Sequence, residues 1–289
     1  MSETQYLAAK TIDEAVTAHS KANGSARFLA GGTDLLVQIK SGIKKPKLVI
    51  DIKKIVELNT IKEVNDNEFV VGASVSGANL NRNNKFTKLW PGVIEAFRLI
   101  GSEQIQGRAS LGGNLCNGSP AGDSVPALIA AGCIAIIAGP NGKKEIPIEN
   151  FHKGPGKTVL ENGEMLVSLK FPKREINSSD AYLRMTPRTE MDIAVVGCGV
   201  NITLENNVCT AARVSLGAVA PTPLLIKDAS DIMIGTDLNS DILDKVANLC
   251  IKACNPINDK RGTIDYRTKV AGVLLKRSVL IAIDRIKGN

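Results

Sequence analysis

An α+β fold is predicted for this chain by three features of its sequence. A strand–glycine turn–helix–strand run lies near the start, alternating strand patterns fill the middle, and a hairpin followed by two helices closes the chain. The first run is Arg27-Phe28-Leu29-Ala30, broken by Gly31-Gly32. Thr33 then offers a helix N-cap hydroxyl, Asp34 to Ile39 is amphipathic, and Leu48 to Ile52 is a second strand, which makes a small β-α-β unit. Residues 60–73 alternate as a hairpin turning at Asn65-Asp66-Asn67. Residues 86–100 predict a helix with a break near Pro91, and Leu111-Gly112-Gly113-Asn114-Leu115 predicts a second glycine turn. Asp123 to Ala131 predicts a helix, Cys133 to Ala138 a buried strand, and Met165 to Phe171 a strand that stops at Pro172. Lys173 to Asp180 is polar and predicts a linker between two domains. Residues 194–204 and 208–219 then pair around Asn206-Asn207, and helices follow over about 239–254 and 264–286. The domains predicted are 1–176, with lobes of about 1–56 and 57–176, and 177–289. No repeat at a solenoid period is visible.

Composition narrows the function. Aromatic residues make up 3% of the chain, so the core must be built from Val, Ile, Leu and Ala. The net charge of +7 is scattered, and pairs such as Lys44-Lys45 and Lys53-Lys54 lack the aromatic interleaving of a nucleic-acid surface, so no nucleic-acid partner is predicted. A mild positive surplus suits an anionic cofactor. Neither a leader pattern nor an apolar run of roughly 18 residues is present, which predicts a cytoplasmic protein without a membrane span. The six cysteines form no CxxC, so free thiols and no metal site are expected. Cys250 and Cys254 are spaced as one face of a helix. His19 and His152, the two histidines, read as surface or satisfied residues. Without a Ser-His-Asp order or a pair of acid/base carboxylates, no catalytic residue is expected, which fits a chain whose chemistry belongs to a cofactor.

Ala30-Gly31-Gly32-Thr33-Asp34-Leu35 supports two readings. A Gly pair between strand and helix can bend through positive φ and present backbone N–H groups, aided by the helix dipole, to an anion. It can equally be a plain tight turn. Neither GxGxxG nor GxxxxGK[ST] is present, so the Rossmann and Walker fingerprints do not apply. Ser110-Leu111-Gly112-Gly113-Asn114 repeats the ingredients, and Ser119-Pro120-Ala121-Gly122-Asp123 adds a carboxylate. Two such turns in separate lobes could hold both sides of one pyrophosphate. Asp123 would accept from ribityl or ribose hydroxyls, or simply cap a helix.

The segments Phe28 to Leu36, Ser110 to Asp123 and Arg188 to Val196 resemble the FAD-binding medium subunits of the xanthine dehydrogenase and carbon monoxide dehydrogenase (molybdenum hydroxylase) family. The resemblance runs from about Leu7 to Ile286, and Asn114-x-x-x-x-Ser119-Pro120-x-x-Asp123 is its most specific part. It implies a two-lobed FAD-binding domain of the PCMH type, a small β-α-β lobe plus a mixed-sheet lobe, then a C-terminal domain of antiparallel strands and helices. It implies non-covalent FAD held by Phe28, Leu29, Ala30, Gly31, Gly32, Thr33, Asp34 and Leu35 and by Ser110, Leu111, Gly112, Gly113 and Asn114. Asp123 would hold a cofactor hydroxyl, Ile100 would sit against the cofactor, and Leu166 would pack beside the ring. Arg184 falls where many members carry a lysine near the flavin. Ser110 stands for a common threonine, Gln106-Gly107-Arg108-Ala109 departs from the usual Arg-Asn and Thr, and the cysteine-bearing insertion of benzoyl-CoA-type reductases is missing. The implied function is electron transfer from the [2Fe–2S] clusters of a small subunit to an acceptor such as NAD, a quinone or oxygen. The implied assembly is a heterotrimer, dimerised, with a molybdopterin-bearing large subunit. A stand-alone flavin oxidoreductase of the same fold and a flavin-free scaffold subunit are the alternatives.

Overall fold

The computed structural model describes residues 4–288. The small lobe is a three-stranded parallel sheet of β1 (Gln5–Ala8), β3 (Leu48–Asp51) and β2 (Ala26–Leu29), in that spatial order. Helix α1 (Ile12–Lys21) connects β1 to β2, and α2 (Leu35–Lys40) connects β2 to β3. Sequence analysis covers β2 to β3 and misses β1 and α1. The signal for α1 was a capping box: Thr11 Oγ1 accepts from Glu14 N–H at 3.1 Å, and Glu14 accepts from Lys10 N–H at 2.8 Å. At α2 the structure corrects the cap. The helix starts after Asp34, whose side chain makes no cap, and Thr33 does not serve as one.

The second lobe holds a five-stranded sheet. Its order is β4 (Ile61–Asn65), β5 (Glu68–Gly72), Met165–Phe171, Ile134–Gly139 and Gly142–Pro147. All neighbours pair antiparallel, which corrects the mixed sheet expected for this lobe: two hairpins, β4–β5 and Ile134–Gly139 with Gly142–Pro147, flank the returning strand Met165–Phe171. Ala138, Met165 and Val167 close one core with Ile50, Ile52 and Ile55 of the small lobe. The other face buries the helix Pro91–Arg98, with Pro91 in the first helical turn as the break at that residue predicts. The few aromatics concentrate there: Phe86 meets Phe69 and Phe171 edge-on at 5.5 and 4.9 Å, and Trp90 leans on Phe171.

The predicted second glycine turn is a helix, Leu111–Asn117. Ser110 is extended and its Oγ accepts from Gly113 N–H at 3.0 Å, which makes it the N-cap, and Gly118 ends the helix at φ +69°. Gly112 is required for packing, not for bending: a Cβ there would lie 2.5 Å from the Ala73 carbonyl oxygen.

The C-terminal sheet is antiparallel, in the order Ser178–Met185, Val196–Glu205, Val208–Gly217 and Leu224–Leu225. Asn206 and Asn207, both at positive φ (52° and 64°), turn the predicted hairpin. Helices Ser240–Ala253 and Ile264–Lys287 cover one face, close to their predicted bounds.

Lys173 to Asp180 is not a free linker. Arg174 and Asp180 are buried and 3.2 Å apart, Arg174 stacks 4.4 Å over Trp90, and Asp180 accepts from Val93 N–H at 3.0 Å. The segment pins the C-terminal sheet to the aromatic cluster. Asp180→Ala is expected to cost about 1.5–3 kcal/mol, the value of a hydrogen bond to a charged group. Arg174 would keep Asn201 Oδ1 (3.0 Å) and the Trp90 ring, which holds the loss below that of a bare buried ion. Urea unfolding would measure it.

Candidate functional site: a cavity between two glycine segments

A cavity of about 630 Å³ opens between the lobes, within the roughly 300–1,000 Å³ usual for cofactor sites. Gly31 and Gly32 line it from one side, Gly112 and Gly113 from the other. The segments meet because Gly31 has no side chain: a Cβ there would run into the Arg108 carbonyl. Gly32, at φ +80°, turns the chain into α2. The N–H groups of Gly31, Gly32, Thr33, Asp34 and Leu35 make no hydrogen bond among the described residues. They form a cradle of free donors beside the start of α2.

Two side-chain clasps flank this contact. Gln38 donates to Asn117 Oδ1 at 3.1 Å, and Asn117 donates to Asp34 Oδ1 at 3.3 Å. Burial pushes the Asp34 carboxyl up. In the second clasp, the turn before the Met165–Phe171 strand grips the end of α1. Asn162 donates to Ser20 O (3.1 Å) and accepts from Gly24 N–H (3.2 Å), and Gly163 N–H donates to His19 Nδ1 (3.0 Å).

Of the anticipated site residues, Phe28, Ala30 to Leu35, Ile100, Ser110, Gly112 to Asn114 and Leu166 line the cavity. Ser110 Oγ accepts from Gly113 N–H, which leaves its proton free to donate. Ser124 Oγ donates to Asn114 Oδ1 at 2.7 Å, which leaves both Nδ2 protons free. Leu29 and Leu111 are core residues behind the wall. Asp123 and Arg184 do not line it either. Asp123 Oδ1 accepts from Tyr182 Oη at 3.0 Å and Oδ2 from Arg184 Nη1 at 2.8 Å, so both carboxylate oxygens are engaged inside the protein. Burial raises Asp123 to about 6, against the opposing pull of Arg184 and Tyr182. In this structure the two residues support the wall from behind, since Ser124, the residue after Asp123, holds Asn114.

Sequence reasoning missed His19, Arg27, Lys44 and Asn162, which also line the cavity. They lie outside the glycine segments, and only the fold brings them there. The other histidine, His152, donates from Nε2 to Leu115 O at 2.8 Å and braces the glycine helix.

The description "FAD binding domain in molybdopterin dehydrogenase" matches residues 2–174, and "CO dehydrogenase flavoprotein C-terminal domain" matches residues 181–282. The chain belongs to this family. It is an FAD-binding medium subunit of the molybdenum hydroxylase type, a class of oxidoreductases. The carbon monoxide dehydrogenase medium chain of Hydrogenophaga pseudoflava is 31% identical over 97% of both chains. That of Afipia carboxidovorans is 32% identical over 98% of this chain and 97% of its own. A crystal structure of the Cu,Mo-CO dehydrogenase in its cyanide-inactivated form contains a chain that superposes with a TM-score of 0.94, 31% identity and 98% coverage of both chains.

FAD is thus the cofactor of this subunit, and the cavity fits it. A dinucleotide needs donors for two phosphates, and the unpartnered N–H row of Gly31 to Leu35, with Ser110 and Asn114 opposite, supplies them. Gly113 leaves room beside them, since a Cβ there would meet only Ser110 Oγ, at 3.1 Å.

The histidines set a pH dependence of the medium subunit's stability. Burial holds both below the usual 6.5, with Arg27 adding to the effect at His19. A group with a depressed folded pKa resists protonation, so its stabilisation is present above about pH 6.5 and is lost as pH falls through the folded value. Protonating His19 also removes the lone pair that accepts from Gly163. Asp123, raised to about 6, works the other way and favours the fold as pH falls. Urea unfolding at steps from pH 7.5 to 5 is expected to show that His19→Asn loses less stability than the wild type as pH falls, and an identical pH dependence in the two proteins would show that His19 contributes none.

Proposed function

We propose that this chain is the electron-transfer subunit of a molybdenum hydroxylase complex, passing electrons from the [2Fe–2S] clusters of a partner subunit to an external acceptor. The observation that carries the reading is the convergence of both glycine segments on one cavity with a row of free backbone donors. When bound, FAD supplies the interconversion of single electrons and electron pairs.

The chain's own residues bind and orient. Gly31 to Leu35 offer backbone N–H groups to the pyrophosphate, and Ser110 and Asn114 add a hydroxyl and an amide. Ile100 and Leu166 give the ring an apolar seat. Asp123 and Arg184 hold the wall from behind and leave a buried guanidinium whose Nε and Nη2 have no partner, a fixed positive charge that favours electron density nearby. The division near residue 176 serves this arrangement, with flavin binding in the first domain and bracing from the second. No described helix is long and apolar enough to cross a membrane, in keeping with a cytoplasmic site of action.

The partners proposed are a molybdopterin-bearing large subunit and a [2Fe–2S] small subunit in a dimerised heterotrimer, and the acceptor is NAD, a quinone or oxygen. A stand-alone flavin enzyme with a covalent link is disfavoured. Of the cavity's candidate nucleophiles, His19 uses the Nδ1 lone pair to accept from Gly163. The test is to mix the FAD-loaded chain with a reduced [2Fe–2S] small subunit under anaerobic conditions. Bleaching of the flavin's visible band is expected, and a stable complex without bleaching would refute the electron-transfer role.

A further inference from the structure

We propose that His19, stacked on Phe28, recognises the adenine of the bound cofactor and makes the site select FAD over FMN. The inference rests on the FAD reading above. The two rings lie 4.4 Å apart between centroids and 15° from parallel, and both line the cavity. They stand on the side built by α1, β2 and the Asn162 turn, whereas Ile100 comes from the segment whose next residue, Gly101, accepts from Met191 N–H (3.3 Å). With the isoalloxazine against Ile100, the other planar end of the dinucleotide falls to the His19 side.

The chemistry of that side suits a purine. Gly163 N–H occupies Nδ1, so the neutral imidazole carries its proton on Nε2. Nε2 has no hydrogen-bond partner among the described residues, and its proton lies in the ring plane, which leaves the open face to stacking. Burial disfavours the charged form, so the ring offers a neutral aromatic face. Phe28 fixes its plane from one side and Gly163 fixes its rotation, so little freedom remains to be lost on stacking. Arg27 borders the same wall, with Nη1 committed to Gly24 O (2.9 Å) and Ala26 O (2.6 Å). A base stacked on one aromatic side chain gains enough that removing the platform weakens binding by roughly 5- to 150-fold. FMN lacks the adenine and gains nothing from this wall.

Flavin-fluorescence titration of the full chain with FAD and with FMN tests the assignment. Wild type is expected to bind FAD more tightly than FMN. His19→Ala should weaken FAD by about 5- to 150-fold and leave FMN within about twofold. His19→Phe, which keeps a ring and loses the Gly163 bond, should retain most of the preference for FAD. Equal weakening of FAD and FMN in His19→Ala would mean that His19 only clasps the lobes, and would overturn the proposal. Unchanged FAD affinity in His19→Ala would overturn it too and leave the FAD reading standing. A wild-type chain that binds neither flavin would overturn both.

Discussion

Gly113→Val is expected to abolish FAD binding while the chain stays folded. A Cβ at Gly113 meets only Ser110 Oγ, at 3.1 Å, so the isopropyl group fills cavity rather than core. The ligand then stands off from the backbone. Losing two charge-assisted hydrogen bonds of about 1.5–3 kcal/mol each weakens binding by roughly 3–6 kcal/mol, a factor of about 10² to 10⁴. Gly31→Ala gives a different outcome. Its Cβ collides with the Arg108 carbonyl, so the two segments must separate, and stability falls with flavin affinity, by about 1–3 kcal/mol for an overpacked contact. Gly32→Val is a poorer probe, because φ +80° strains any β-branched residue. Flavin titration beside urea unfolding separates the two classes. If Gly113→Val unfolds the chain, the glycine is structural and its place in the cradle is wrong.

Arg184→Met is expected to lower unfolding free energy by about 3–5 kcal/mol, the cost of stranding a buried ion. The Arg184 and Asp123 side chains are 2% and 8% exposed, so solvent cannot take over from the lost partner. Only the Tyr182 hydroxyl would remain on the Asp123 carboxylate. The double variant Asp123→Asn with Arg184→Met should recover much of the loss, and a double-mutant cycle from urea unfolding measures the coupling. Additive losses would show that the two residues act separately. Because the Asp123 helix precedes the predicted boundary and the Arg184 strand follows it, this pair also ties the second domain to the wall that Ser124 and Asn114 build.

The chain shows where sequence patterns carry and where they stop. Asn206-Asn207 announced a hairpin because two adjacent residues that tolerate positive φ leave few other solutions. The C-terminal helices were legible from their apolar spacing. Lys173 to Asp180 reads as a linker because a polar residue satisfied inside a core looks the same in sequence as one in water. The Arg174–Asp180 pair is the reason the segment is anchored. Gly112-Gly113 reads as a turn because glycine is permissive. The actual use of Gly112 is close approach to Ala73 from within a helix, and Ala73 lies just past the end of β5, far earlier in the chain. The glycine segments named most of the cavity wall, whereas His19 entered it only through the packing of α1 on the Asn162 turn. Local chemistry was visible, and contacts between distant segments were not.

Equilibrium titration of the purified chain with FAD, repeated on Gly113→Val, tests the central claim that two glycine segments build one flavin cradle. The account predicts one FAD bound per wild-type chain, released intact on denaturation because no covalent link forms, and none held by the folded variant. A wild-type chain that takes up no flavin, or a variant that binds FAD as tightly as wild type, would contradict it.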